Sequence, residues 1–165
     1  MEKILAEIDA ENVKKTINLK SKPDKNNITF LETRSWWSAK HKIANDFLSS
    51  IVEGTHIVAH PSDQEEIGNL IKFDTIKIDI PFDHEIKIIK MKQSRCHDNS
   101  LLLATADKKI IMHSGYALSD DGLWRHHSWC MDEHGNIIET TVRRLIYVST
   151  NTFRKNNVPK LMATQ

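Results

Sequence analysis

Cys96 is the residue of this 165-residue chain best placed for chemistry, because polar residues precede it and an apolar run, Leu-Leu-Leu-Ala at 101–104, follows it. This pattern predicts a cysteine at the start of a helix. The free N–H groups and positive dipole end of a helix N-terminus lower the pKa of a thiol. Since the thiolate is the nucleophilic form, Cys96 is predicted to act as a nucleophile.

A histidine and a carboxylate follow on two predicted strands. His127 lies in the segment His-His-Ser-Trp at 126–129, and Glu139 lies in Ile-Ile-Glu-Thr-Thr at 137–141. In a Cys-His-acid triad the imidazole takes the thiol proton and later protonates the leaving group, while the carboxylate orients the ring. The order of Cys96, His127 and Glu139 therefore predicts a cysteine-dependent hydrolase or acyl transferase.

The turn between these two strands decides whether His127 and Glu139 meet. Three residues at 133–135, the last a glycine, separate Asp132 from Asn136, which suits a type I turn closed by a glycine bulge. That register pairs Asp132 with Asn136 and makes His127 and Glu139 diagonal neighbours on one face. A turn shorter by one residue would point Glu139 to the opposite face.

Other residues are candidates for supporting roles. The backbone N–H of Cys96, helped by Gln93, is a candidate donor to the oxyanion of a tetrahedral intermediate, and Asn99 is a candidate support. Three aromatic side chains are candidates for the walls of a substrate cleft: Tyr116, Trp124 and Trp129. For the two tryptophans a place in the core is the alternative, and it is also the prediction for Cys130.

These segments resemble the papain-like superfamily, in particular its transglutaminase-like and other compact bacterial branches. The similarity lies in a Cys-x-x-Asn helix start at 96–99, a Gly-Tyr-Ala strand at 115–117 and the His-Ser-Trp strand at 127–129. Glu139 stands where these proteins usually have an aspartate. The resemblance covers about residues 93–148. It implies a Cys-His-acid site in an α+β fold, with a papain-like core in which the central helix bearing the cysteine packs on an antiparallel sheet of about five strands.

The remaining pattern predicts a single domain over residues 1–165. Its parts are a mainly helical N-terminal part at 1–72, a sheet and catalytic core at 73–149 and a flexible tail at 150–165. Apolar spacing predicts helices over 2–18, 36–51 and 62–72, with a polar linker at 19–27 and a Ser62–Glu65 capping box. Period-2 alternation predicts a hairpin over 76–88 and strands over 110–118, 123–131 and 136–148.

Composition limits the partners and the setting. The chain has 23 basic and 22 acidic residues, hence a net charge of +1, which indicates no nucleic-acid partner. No apolar run approaches the roughly 20 residues that cross a bilayer, so no membrane partner is expected. Two cysteines and no leader-like N-terminus favour a cytoplasmic protein, with secretion without a cleaved leader left open. The expected partner is a protein, peptide or small amide substrate, and the oligomeric state stays open.

Two alternatives to an enzyme remain. One is a non-enzymatic module that keeps a papain-like core and binds a peptide or protein in its cleft. The other is a zinc-binding protein, since the chain has nine histidines. However, the sequence has neither a Cys-x-x-Cys pair nor a His-Glu-x-x-His helix, and the predicted register turns His126 and His127 to opposite faces. We therefore expect no metal and no cofactor.

Overall fold

The computed structural model describes residues 1–6, 13, 17–81 and 85–155. The fold is mixed α+β, with several helices and a curled sheet. The described helices are α1 (Glu2–Ala6), α2 (Lys25–Glu32), α3 (Ala39–Ile51), α4 (Gln64–Leu70) and α5 (Cys96–Ala106). The described strands are β1 (His56–Ile57), β2 (Lys77–Asp79), β3 (Ile86–Ile88), β4 (Ile111–Leu118), β5 (Leu123–Met131), β6 (Ile137–Glu139) and β7 (Ile146–Phe153).

The described strands form one sheet in the order β2-β7-β4-β5-β6-β3, and β1 pairs with the start of β5. The strands from β7 to β6 are antiparallel neighbours. The pairing of β4 with β5 and of β5 with β6 was predicted, whereas the pairing of β7 with β4 was not. The predicted antiparallel sheet of about five strands is wrong at its periphery, because β3 pairs in parallel with β6 and β1 in parallel with β5. Helix α5 packs on β4 and β5.

The predicted hairpin over residues 76–88 is also wrong, since β2 and β3 lie at opposite ends of the sheet. Ile78 of β2 packs on the large core beneath the N-terminal helices, whereas Ile86 of β3 packs on a separate cluster. The alternation of apolar and polar residues indicates that a strand has one buried face, but it does not determine which strand pairs with it. The turn expected within this hairpin falls partly on residues 82–84, outside the described residues.

The strand predicted over residues 136–148 is two strands. β6 ends at Glu139, residues 140–145 leave the ladder, and β7 then pairs with β4 and β2. β7 continues to Phe153, which packs on the cluster beneath α5, so residues 150–153 are not the flexible tail that polarity suggested. Residues 156–165 of the predicted tail lie outside the described residues.

The two faces of the sheet carry different cores. On one face, α3 and α4 cover a large apolar cluster that includes Tyr116 and Trp124, while α5 covers a smaller one with Met112 and Cys130. The other face holds a third cluster, made of Ala117, Trp129, Met131, Ile137 and Tyr147. Because side chains alternate along β5, consecutive residues of this strand contribute to opposite faces.

The N-terminal part has one helix that was not predicted, α2, and the predicted helices differ from the observed ones at their ends. Within the predicted linker, α2 begins after Asp24, whose carboxylate accepts a hydrogen bond from the Asn26 N–H (2.9 Å). α3 begins at Ala39 instead of residue 36, behind a capping box of Ser38 and His41. Of the helix predicted over 2–18, residues 2–6 are helical, and 7–12 and 14–16 lie outside the described residues.

The capping box predicted for α4 is not formed. Asp63 is the N-cap residue, and the Ser62 hydroxyl lies 2.7 Å from Nδ1 of His60. None of the helices in the described residues is long and apolar enough to cross a membrane.

Candidate active site

Cys96 is the first residue of α5 and is partly buried. The buried Asn99, one turn later, donates a hydrogen bond from Nδ2 to the Lys92 carbonyl (2.8 Å), which ties the preceding loop to the helix. Asn99 therefore holds the loop that leads into Cys96. Gln93, the predicted oxyanion residue, has an exposed side chain that makes no hydrogen bond with the described residues.

His127 lies on β5, on the face opposite to α3, α4 and α5, and is 2% exposed. Its cross-strand partner on β4 is Gly115, which leaves the space beside the imidazole free of a side chain. A Cβ at Gly115 would collide with the Val148 carbonyl. On the other side, the ring stacks on Trp129 at 6.1 Å between centroids, so the imidazole is held in a defined orientation.

Glu139 is fully buried at the end of β6 and faces His127. Its carboxylate accepts from Nε2 of His127 at 2.9 and 3.1 Å and from the Tyr147 hydroxyl at 2.9 Å. The backbone N–H of Thr140 (3.1 Å), together with the N–H and hydroxyl of Thr141 (3.2 and 3.1 Å), also donates to it. These donors together stabilise the ionised carboxylate of Glu139, although it is buried away from solvent.

The register that brings His127 and Glu139 together is the predicted one. Cys130 pairs with Ile138, and the Asp132 N–H donates to the Asn136 carbonyl (3.0 Å). Gly135 closes the turn with φ +79°, in the left-handed region that a glycine bulge requires. The expected extension of this ladder to Thr141 is absent, because β6 ends at Glu139.

Cys96 and His127 affect each other's pKa near the edge of β5 that faces away from β4. This edge is paired with β1 at Leu123 and Trp124 and with β6 at Cys130 and Met131. Ser128 lies between these two pairings, and its backbone N–H lowers the pKa of the Cys96 thiol. Because Glu139 occupies Nε2 of His127, Nδ1 is the ring nitrogen left for the thiol.

The electrostatics of the three groups favour a thiolate–imidazolium pair. Burial alone would raise the pKa of Cys96, but the hydrogen bond and charge of His127, with the Ser128 N–H, lower this pKa below its usual value. Burial alone would lower the pKa of His127, but Cys96 and Glu139 raise this pKa above its usual value. For Glu139, burial is outweighed by His127, Tyr147 and the Thr141 N–H, and its pKa is lowered. The two titrations of Cys96 and His127 belong to the pair rather than to either residue alone.

Tyr147 is a site residue that the sequence did not reveal. It lies on β7 beyond the irregular segment 140–145, and its hydroxyl accepts from the Arg144 N–H (3.1 Å) while donating to Glu139. A continuous strand through this region would have placed Glu139 and Tyr147 about 26 Å apart. The interruption of the strand therefore completes the network around the carboxylate.

The three aromatic residues expected to wall a cleft are core residues. Tyr116, Trp124 and Trp129 are all fully buried. Tyr116 and Trp124 lie on the face covered by the N-terminal helices, and the Trp124 Nε1–H donates to the Thr55 hydroxyl (2.9 Å). Trp129 supports the His127 ring from within the protein. Large aromatic side chains contribute most to stability when they are desolvated, which explains their position.

The remaining Cys and His residues that the structure describes do not form a metal site. In residues 1–6, 13, 17–81 and 85–155, no three His, Cys, Asp or Glu side chains come together in a group that could hold a metal ion. His126 is exposed and His127 buried, so the two rings point to opposite faces, as predicted. Cys130 is a core residue whose thiol donates to the Ser100 carbonyl (3.3 Å).

No protein-family model, no curated protein and no solved structure matches this chain, so the interpretation of the site rests on its own geometry and electrostatics.

Proposed function

We propose that this protein is a cysteine-dependent hydrolase or acyl transferase that acts on an amide or thioester bond. The observation that carries the proposal is the convergence of Cys96, His127 and Glu139 on one edge of β5, with a hydrogen bond from Nε2 of His127 to a fully buried carboxylate. A structural role alone explains this arrangement less well, since Cys96 is only partly buried while its two partners are enclosed.

The reaction begins with the attack of the Cys96 thiolate on the carbonyl carbon of the substrate. A C–S bond forms, and the π electrons move to the carbonyl oxygen. When the intermediate collapses, Nδ1 of the imidazolium gives its proton to the leaving amine or thiol, and the C–N or C–S bond breaks. A water molecule or an acceptor nucleophile then attacks the thioester, while His127 takes its proton and Cys96 leaves as thiolate.

Glu139 acts throughout as the partner of the imidazolium. Its hydrogen bond to Nε2 fixes the tautomer in which Nδ1 faces the sulfur, and its charge stabilises the protonated ring. The N–H groups at the start of α5, including that of Cys96, are the donors proposed for the oxyanion. The layout of the site is similar to that of papain-like and transglutaminase-like enzymes, and we propose a compact member of that group acting in a reducing compartment such as the cytoplasm.

The test is acylation by a chromogenic acyl ester, p-nitrophenyl acetate, with the full-length chain. We expect a burst of p-nitrophenolate with one acetyl group on Cys96, located by mass spectrometry of tryptic peptides. Cys96→Ala should lose the burst, and His127→Ala should slow it strongly while the circular dichroism spectrum is retained.

An acylation rate no higher than that of free cysteine would contradict the proposal. If Cys96 is alkylated rapidly by iodoacetamide but never acylated, a binding module with an activated thiol becomes the better interpretation.

A further inference from the structure

One hydrogen bond joins the chain neighbours of the proposed nucleophile and base. His97 follows Cys96 in α5, and Ser128 follows His127 in β5. Nδ1 of His97 lies 3.0 Å from the Ser128 hydroxyl oxygen, which is a hydrogen-bonding distance. Since consecutive Cα atoms are about 3.8 Å apart, this bond connects the backbone next to Cys96 with the backbone next to His127.

The first turn of α5 has little apolar packing on the sheet. Residues 96–99 are Cys-His-Asp-Asn, and the side chains of Leu101 and Leu102 are 38% and 59% exposed. The apolar cluster beneath the helix includes Leu103 and Ala104, which lie in its second half. Apolar packing therefore holds the C-terminal half of α5 and leaves the first turn to polar contacts.

Most of these polar contacts stay within the helix and the loop before it. Asp98 forms an ion pair with Arg95 (3.2 Å), and the Asn99 amide donates to a carbonyl of the preceding loop. Of the hydrogen bonds and ion pairs in the described part of the chain, only the one between His97 and Ser128 joins a side chain of the three residues after the cysteine to the sheet. The position of the first turn relative to β5 therefore depends on this bond.

The strand side of the bond has a defined position. Ser128 is 1% exposed, and its hydroxyl lies 2.9 Å from the hydroxyl of Ser114, its cross-strand partner on β4. Ser114 is held in turn by β7, because the Thr150 hydroxyl donates to its carbonyl (3.2 Å). The Ser128 hydroxyl is thus a fixed point of the sheet to which the exposed ring of His97 is attached.

A thiolate and an imidazolium stabilise each other only while the sulfur and the ring nitrogen stay close. The ring of His127 is held from within the protein by Trp129 and Glu139. Movement of the first turn of α5 would therefore displace Cys96 from a ring that does not follow it. A displacement of about 1 Å between reacting groups can cost roughly 100-fold in rate.

We infer that His97 is a positioning residue: its hydrogen bond to the Ser128 hydroxyl fixes the first turn of α5, and with it Cys96, against β5. This inference rests on the proposed function, since it concerns the pair that Cys96 forms with His127. His97 itself takes no part in the chemical steps and acts through the backbone of its neighbour.

The test is the pH dependence of Cys96 alkylation by iodoacetamide in two variants of the full-length chain, His97→Ala and His97→Asn. Alanine removes the imidazole, whereas asparagine keeps a neutral hydrogen-bonding group at about the position of Nδ1. In His97→Ala the thiolate is less stabilised, so the alkylation profile should move to higher pH. At pH 6 we expect the rate to fall about three- to tenfold, the factor that one hydrogen bond contributes to an equilibrium. His97→Asn should recover most of the rate.

His126→Ala is the matched control. His126 is also an exposed histidine, lies on the same face of β5 as Ser128 and makes no side-chain hydrogen bond with the described residues. We expect its removal to leave the alkylation rate and profile unchanged. Ser128→Ala removes the other partner of the bond, and adding His97→Ala to it should slow alkylation no further, because both changes remove the same interaction. Circular dichroism checks that each variant is folded.

An unchanged alkylation rate at pH 6 in His97→Ala would overturn the inference. A rate in His97→Asn as low as that in His97→Ala would also overturn it, since the charge of the imidazole rather than its bond to Ser128 would then act on the thiol. The unmodified protein separates the two claims. If its Cys96 is alkylated rapidly at pH 6 while His97→Ala has no effect, only the positioning role is wrong. If Cys96 reacts no faster than 2-mercaptoethanol, the proposed function is wrong as well.

Discussion

Each of the two cysteines of this protein lies where α5 meets β5, but the pKa values of the two thiols are shifted in opposite directions. Cys96 belongs to α5, and the backbone N–H of Ser128 in β5 helps to lower its pKa. Cys130 belongs to β5 and donates a hydrogen bond to the carbonyl of Ser100 in α5. The pKa of Cys96 is lowered, whereas burial raises that of Cys130 to about 12.

This difference shows that burial alone does not decide how a thiol behaves. A sulfur that accepts from an N–H and faces an imidazole is stabilised as thiolate, while one that donates to a carbonyl in an apolar cluster stays protonated. The position along the helix decides which partner is present. The N-terminus of α5 presents N–H groups, and its middle presents only packed side chains and carbonyls engaged in the helix.

The sharpest test of the comparison is alkylation with iodoacetamide at pH 6. An ordinary thiol of pKa about 8.5 is less than 1% ionised there. We expect rapid modification of one cysteine per chain, complete loss of it in Cys96→Ala and no change in Cys130→Ala. Mass spectrometry after a timed quench measures both. Modification of Cys130 at a comparable rate would break the contrast.

His127→Ala should have the next largest effect. Without the imidazole the pKa of Cys96 rises towards its ordinary value, and alkylation at pH 6 should slow by roughly 30- to 100-fold. Loss of acid–base catalysis should reduce turnover by about 10²- to 10⁴-fold. The pH dependence of alkylation is the measurement, and His126→Ala is the matched control, which should leave the thiol pKa nearly unchanged. An unaltered profile in His127→Ala would show that the helix alone activates Cys96.

Glu139→Gln should act through the histidine. The charge of Glu139 raises the pKa of His127, so its removal lowers that pKa. The ion pair exists between the Cys96 and His127 titrations, and the alkaline limb of the activity profile should therefore move to lower pH, with a rate loss of about tenfold. A pH–rate profile tests this. A shift of the alkaline limb to higher pH would contradict it.

Tyr147→Phe should have the smallest effect on the site. The change removes one donor from the Glu139 carboxylate, and we expect about 1 to 2 kcal/mol of lost unfolding free energy with a several-fold decrease in activity. Tyr116→Phe is the matched control, because the Tyr116 hydroxyl has no hydrogen-bond partner among the described residues. Urea unfolding of both variants measures the difference. If Tyr147→Phe and Tyr116→Phe lose the same unfolding free energy, the network around Glu139 does not stabilise the carboxylate.

Local patterns predicted a large part of the candidate site. The polar-to-apolar transition at Cys96 marked the start of α5, and the glycine at 135 set the turn and hence the β5–β6 register. Each of these features depends on a few consecutive residues, as helix starts and tight turns do. The hairpin over residues 76–88 failed for the opposite reason, since strand pairing is decided by contacts far apart in the sequence.

Residues 140–145 illustrate the same limit within the site. The run after Glu139 is apolar enough at 145–148 to be taken as a continuous strand, yet the chain crosses to the far side of β4 and brings Tyr147 back to Glu139. Burial was equally hard to foresee. Tyr116, Trp124 and Trp129 are all compatible with a cleft by type, and only the packing of α3, α4 and the sheet shows that they are enclosed.

By itself, the sequence determined the start of the cysteine helix, the strand that carries His127 and the turn that aligns it with Glu139, because backbone preferences and short-range alternation specify such features. The tertiary structure alone decided the order of the strands and the approach of Tyr147 to Glu139. Both features depend on which apolar faces are buried against each other. Faces of similar composition could pair in several ways, and only the packing of the whole chain selects one of them.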